Sequence, residues 1–364
     1  MKKINLIYSF ALLLLLATGC SKKDGIDKDQ GFLNTAASGN LAKIFDVSND
    51  NSGNVKITPT GDGVSSWTIN FGHGTGAGAS AVVTPGGSAT HAYPEGSYTV
   101  TIIAQDIAGH QTTTTYPLQL TYRAPENLTI TTSGEMTVKA TALYAKSFLV
   151  YYGDVANEVG TPMAIGQTLP AHTYPPGTAT PFVLRVVALS GGAATASATK
   201  NLFGLPIDFE TAAVNYFFGT FGGVSFDKVT NPASGGINTS ATVGKYTKHT
   251  GDASWSGTYS PLDIPINFAY GRKIKVWAYN PTAANIGKKV NVELEWSIGG
   301  PANGVGVLKV PFTTSGAWEE LVFDFSTIPA IPANTKYTQL VLRFDDGVSG
   351  SGEVFYLDNF RLTN

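Results

Sequence analysis

The chain reads as an all-β protein made of successive β-sandwiches, and three observations carry that reading. Its 364 residues include 41 glycines and 19 prolines, so short β-prone runs of valine, threonine and aromatics are broken by turn residues throughout, as in sandwiches rather than helical folds. Sliding the sequence against itself by 81 residues aligns three separate blocks, and one shared register means tandem copies of one fold. Residues 205–364 follow a different pattern and are too long for a third copy.

Composition excludes several functions. Charged residues make up 14% and the formal net charge is −2, which leaves no electrostatic footprint for nucleic acid or an anionic surface and suits a neutral partner. One cysteine allows neither an internal disulfide nor a thiolate metal site. Gly72-His73-Gly74-Thr75-Gly76 is glycine-rich, but it lies in a β-turn rather than before a helix, so it is no phosphate cradle.

At the N-terminus, Lys2 and Lys3 precede an apolar run from Leu6 to Ala17. The run is shorter than the ~20 residues that span a bilayer, and residues 1–19 read as a cleaved secretory signal. Ala17-Thr18-Gly19-Cys20 resembles a bacterial lipobox, which implies that Cys20 is lipidated and anchors the protein to the outer membrane. Residues 20–37 form a charged, aperiodic tether. Ser21-Lys22-Lys23-Asp24 is similar to the tracts that send Bacteroidetes lipoproteins to the outer leaflet, so a cell-surface location is expected, with the periplasmic face as the alternative.

The two copies are placed at 38–123 and 124–204. The offset pairs Trp67-Thr68-Ile69-Asn70-Phe71-Gly72 with Phe148-Leu149-Val150-Tyr151-Tyr152-Gly153, then His91-Ala92-Tyr93-Pro94-Glu95-Gly96 with His172-Thr173-Tyr174-Pro175-Pro176-Gly177. Each copy resembles a PKD domain, an immunoglobulin-like sandwich. Copy two keeps Tyr152-Gly153-Asp154 but has Val155 for the second glycine, and copy one has His73 in place of the acidic turn residue. The resemblance implies that His91 and His172 are structural corners, Trp67 is core, and both sandwiches act as spacers. His73, His110 and His249 sit in turns or polar loops and are assigned no chemistry.

The module at 205–364 opens on Pro206-Ile207-Asp208-Phe209-Glu210 and closes on Phe355-Tyr356-Leu357-Asp358-Asn359-Phe360. Between them come Trp255-Ser256-Gly257 and Trp318-Glu319-Glu320-Leu321-Val322-Phe323. This order resembles the carbohydrate-binding β-jelly-rolls of Bacteroidetes surface glycan-binding lipoproteins, of the SusE/F-position type. That resemblance implies a polysaccharide ligand, with laminarin-type β-1,3-glucan the leading expectation, and a SusC/SusD-like transporter complex as partner.

Strand parity points to decorated outer faces. Ile274, Val276 and Ala278 share one side of their strand, leaving Lys275, Trp277 and Tyr279 on the other; Val290, Val292 and Leu294 likewise oppose Asn291, Glu293 and Glu295. Aromatic planes and hydrogen-bonding groups together suit a sugar. Trp255, in a loop expected to be flexible, is a candidate contact, as is Trp277, whose alternatives are a convex face or a domain contact. Trp296 stands between core and a position topping its strand, and Trp318 is expected in the core. In related modules the residues at Glu210 and Asp358 help hold a structural calcium, oxygen donors suiting that ion.

Glu293 and Glu295 would lie roughly 7 Å apart by strand rise, within the range of an inverting glycosidase pair. The module has no added loops to build a cleft, so a non-catalytic binding protein is expected. An adhesin or scaffold that binds protein partners is the other reading.

Overall fold

The computed structural model describes residues 31–35, 37–174, 182–298 and 306–364. Cys20, the leader and most of the tether lie outside the described residues, as do Pro175, Pro176 and Gly177. Apart from a short helix, Gly31–Thr35, and single 3-10 turns, every described element is a strand. The chain is all-β. It divides into two compact units, one ending at Tyr122 and one starting at Arg123.

The first unit contains β1 (Gly39–Val47), β2 (Asn54–Asp62), β3 (Val64–Asn70), β4 (Ser80–Val83), β5 (Ala89–Ala92), β6 (Gly96–Asp106) and β7 (Gln111–Leu120). They form sheets in the orders β1-β2-β5 and β4-β3-β6-β7. Alternation along β6 turns Val100, Ile102 and Ala104 inward against Val55, Ile57, Ile69 and Trp67. Trp67 is core, as expected.

The second unit begins with β8 (Glu126–Thr132), β9 (Val138–Leu143), β10 (Ser147–Tyr151), β11 (Thr161–Ala164), β12 (Thr168–Leu169), β13 (Val183–Leu189) and β14 (Thr195–Asn201). Their sheets, β12-β9-β8 and β11-β10-β13-β14, repeat the first sandwich strand for strand. The 81-residue offset therefore survives into geometry. Gly72 and Gly153 both adopt positive φ, and a Cβ there would meet a backbone oxygen at 2.2 Å and 2.6 Å respectively. The Tyr93 hydroxyl donates to Phe71 O at 3.0 Å, and that of Tyr174 to Tyr152 O at 3.1 Å. His91 stacks on Phe71 and His172 on Tyr152. Where His172 Nε2 meets Asp154 Oδ2 at 2.8 Å, the first copy places His73 Nδ1 against His91 Nε2 at 2.9 Å.

The remaining strands are β15 (Gly219–Phe221), β16 (Ser225–Thr230), β17 (Thr242–Lys248), β18 (Gly257–Asn267), β19 (Lys273–Tyr279), β20 (Lys289–Ile298), β21 (Gly306–Pro311), β22 (Trp318–Asp324), β23 (Lys336–Phe344) and β24 (Glu353–Thr363). They make two five-stranded sheets, β15-β18-β23-β20-β21 and β16-β17-β24-β19-β22. Every pairing is antiparallel. Between them lies a core of Phe209, Tyr246, Ile274, Val276, Val290, Val292, Leu294, Phe323, Leu342, Phe344 and Phe355. Burying each such side chain contributes about 1.5–3 kcal/mol. Ile207 and Phe360 exchange backbone hydrogen bonds at 3.0 Å and so join the module's two ends. The register of β18 slips between Pro261 and Ile266, and there Asp263 and Ile264 donate their N–H groups to Phe203 O in the linker from β14. That slip ties the module to the second sandwich.

Candidate functional site

Parity and register together build one polar face. On the outward side of the β15-β18-β23-β20-β21 sheet, opposite the core residues Val290, Val292 and Leu294, the strands align in three rungs. The first runs Phe221, Gly257, Arg343, Asn291, Lys309; the second Gly219, Tyr259, Val341, Glu293, Val307; the third Pro261, Gln339, Glu295. Much of this face is covered. Asn291 is 0% exposed, and Glu293 and Val341 are also buried although they face away from the core.

The polar contacts of the face are uneven. Arg343 Nε lies 2.9 Å from Glu293 Oε1, and another Arg343 nitrogen donates to the Trp255 carbonyl at 2.7 Å. Gln339 donates to Glu295. Asn291 stands between Arg343 and Lys309 in the first rung, and neither its amide nitrogen nor its carbonyl oxygen finds a partner among the described residues. A buried amide in that state costs free energy until something binds it. Burial pushes the Glu293 carboxyl above its usual range despite the Arg343 charge. Each of the two glutamates is held by a cross-strand partner, so the pair is not arranged as a free acid and base.

Aromatic rings edge this face. Trp255 is 56% exposed and lies near-parallel to Phe221, interplanar angle 8° and centroids 6.1 Å apart. Its loop is tethered rather than flexible: Gly251 donates to Gly350 O, Gly350 to Asp252 O, Ala253 to Gly222 O, and Asp252 Oδ2 accepts from His249 N. Phe217, before the start of β15 and outside the three rungs, approaches Tyr259 edge-on at 6.0 Å. Trp296 has core parity, yet a φ of +56° turns it out of the alternation and leaves it 54% exposed at the end of β20. Phe221, Tyr259, Arg343 and Gln339 were not singled out from sequence. Arg343 left a trace, as the one charge inside Gln339-Leu340-Val341-Leu342-Arg343-Phe344.

The structure separates the sequence candidates into two groups. Lys275, Trp277 and Tyr279 lie on β19, in the other sheet, so the core stands between them and Asn291, Glu293 and Glu295 on β20. Their polar groups satisfy one another: Lys275 pairs with Glu320 at 2.8 Å, Glu320 also holds Arg361, and the Arg361 guanidinium sits 5.4 Å from the Trp277 ring centroid. Tyr279 packs between Trp318 and Tyr356. Trp318 is not in the core as expected. It shares the outward parity of Glu320, is partly buried, and donates its indole N–H to Ala233 O at 2.9 Å.

Glu210 and Asp358 differ in setting. Glu210 is exposed and accepts from Thr242 N at 2.8 Å. Asp358 is fully buried, accepts from Asn238 Nδ2 at 2.9 Å and Asn359 N at 2.7 Å, and burial raises its pKa to about 6. Among the described residues no three acidic, histidine or cysteine side chains cluster as metal ligands.

No protein-family model matches the chain, and no curated protein matches it. Among solved structures it is similar to SGBP-B from a complex xyloglucan utilization locus in Bacteroides uniformis, at 11% identity and TM-score 0.31 over 89% of this chain and 98% of that one. It is also similar to a family 11 carbohydrate-binding module from Clostridium thermocellum in complex with a β-1,3-1,4-mixed-linked tetrasaccharide, at 16% identity and TM-score 0.31 over 43% of this chain and 92% of that one. A cleaved adhesin domain of Lys-gingipain from Porphyromonas gingivalis W83 reaches 15% identity and the same TM-score, over 43% and 96%. Likeness this slight decides nothing about ligand.

Proposed function

We propose that the protein is a non-catalytic glycan-binding lipoprotein that captures a neutral polysaccharide on the outward face of the β15-β18-β23-β20-β21 sheet. The observation that carries the reading is Asn291: a fully buried amide with no partner among the described residues, in the first rung of a face edged by the exposed ring of Trp255. An amide can give and accept hydrogen bonds with sugar hydroxyls while a ring packs on the C–H face of a pyranose. The face carries Glu293 and Arg343 as a mutually neutralised pair, which suits an uncharged ligand. Laminarin-type β-1,3-glucan is the ligand we put forward, on sequence resemblance. Affinity electrophoresis of the whole protein against soluble glucans tests the reading, and retardation by none of them overturns it.

The proposal extends to the cell. Cys20 is lipidated, the protein stands on the outer face of the outer membrane, and it works beside a SusC/SusD-like transporter, where anchored copies gain from multivalency. Cys20→Ala moves the protein into soluble fractions, and protease shaving of intact cells cuts the wild type only if it faces outward. A structural calcium at Glu210 and Asp358 belongs to the same proposal: the oxygens that accept N–H groups there keep further lone pairs for a hard cation. A fall in melting temperature on chelation is the result that would support the ion.

A further inference from the structure

At its third rung the polar face opens into a cavity of about 410 Å³ between the terminal module and the second sandwich. Pro261 belongs to both, since it lies on the face opposite Gln339 and also lines the cavity. Phe217, 45% exposed, lines it too and touches Tyr259 of the second rung. The far wall comes from the second sandwich, through Ser133, Lys200 and Asn201. From Gly257 to Pro261 the outer edge of β18 runs four residues, about 13 Å at the rise of a strand.

The cavity is held open by fixed contacts. Lys200 Nζ meets Asp263 Oδ1 at 2.6 Å, Thr132 Oγ1 shares the same ammonium, and the other Asp263 oxygen accepts from Phe203 N at 3.0 Å. A Cβ at Gly134 would come within 2.8 Å of Thr338 Cγ2, so the turn after β8 lies directly on β23. Lys200 and Asp263 cancel in charge, which leaves hydroxyl and amide groups beside an aromatic ring and a proline, and no net charge to attract an acidic sugar.

We propose that this cavity is an extension subsite, in which the second sandwich helps bind the part of a long neutral polysaccharide that overruns the sheet face. The second sandwich is then part of the binding site rather than a spacer. The proposal rests on the glycan reading of that face, and the test separates the two. Titration calorimetry on the full chain uses short and long oligosaccharides of β-1,3-glucan, mixed-linkage glucan and xyloglucan with the wild type, Phe217→Ala, Asn215→Ala and Trp255→Ala. Both Phe217 and Asn215 are exposed, so melting temperatures should stay at the wild-type value.

Phe217→Ala is expected to weaken the long oligosaccharide by about tenfold, the scale of one aromatic contact with a stacked ring, and to leave the short one unchanged. Asn215→Ala is expected to act in the same direction. Trp255→Ala weakens both lengths. If Phe217→Ala and Asn215→Ala change neither length while Trp255→Ala weakens both, the subsite is overturned and the face stands. If no oligosaccharide of any length binds the wild type, both are overturned.

Discussion

Replacing Asn291 with leucine should make the protein more stable and less able to bind. The two side chains branch alike with the same number of heavy atoms, leucine being the bulkier, and Asn291 stands between Arg343 and Lys309 in the first rung. Its amide nitrogen and oxygen are both buried and have no partner among the described residues, a state that costs about 1–3 kcal/mol relative to an apolar group of similar shape. Allowing for imperfect packing of leucine, a net gain of about 1–2 kcal/mol is expected. At about 2–4 °C per kcal/mol for a unit of this size, the melting temperature rises by about 2 to 8 °C. Binding moves the other way: in the proposed site a glycan hydroxyl reaches Asn291 only as the side chains over it part, that hydroxyl then loses its partner, and a loss of 1.4 kcal/mol is already about tenfold in affinity. Differential scanning fluorimetry and calorimetry on one preparation read both effects. A fall in melting temperature would show that Asn291 already supports the fold, and unchanged affinity would remove it from the site. Either result refutes the reasoning.

The sequence carried the architecture because period and repeat are local signals. Strict alternation in β19 and β20 places Ile274, Val276, Val290 and Val292 inward, and the 81-residue register matches two sandwiches of identical strand order. Parity says which residues share a side of one strand, but not which sheet that strand joins. Lys275 and Glu293 thus looked like parts of one surface until the pairing of β19 with β24, and of β20 with β23, put them on opposite sheets. Tyr259 was hidden for a related reason. Its neighbours Thr258 and Ser260 are polar yet face the core, where their hydroxyls donate to Gly219 O and Phe217 O of the edge segment. Trp296 broke alternation through a single backbone angle. No hydrophobic pattern records that.

Three further outcomes are expected. Trp255→Ala weakens glycan binding by about tenfold or more at unchanged melting temperature, since an exposed ring contributes little to the fold, whereas Trp277→Ala on the opposite sheet leaves affinity at the wild-type value; calorimetry reads both. Lys248→Met lowers the melting temperature, because the buried ammonium donates to Phe344 O at 2.7 Å and Val348 O at 2.6 Å, and its loss leaves those carbonyls unpaired. The third concerns pH. Asp358 in the folded state has its pKa raised to about 6 by burial, above its ordinary 3.8, so the folded protein holds this proton more tightly than the unfolded chain does. The stabilisation is full below about pH 4 and is lost as pH rises through about 6. Glu293, also raised by burial, acts in the same direction. Glu353 opposes them at lower pH: its pKa is lowered to about 2, with Lys288 at 2.7 Å and Ser351 as its partners, so its contribution is present above 4.5 and fades as pH falls toward 2. Between pH 4.5 and 6 the Asp358 effect therefore stands clear of Glu353, and the wild type should melt higher at the acid end of that window. Asp358→Asn removes the titrating proton, so the melting temperatures of variant and wild type should converge or cross as pH rises. A constant difference from pH 4.5 to 7 would mean that Asp358 does not titrate in that window.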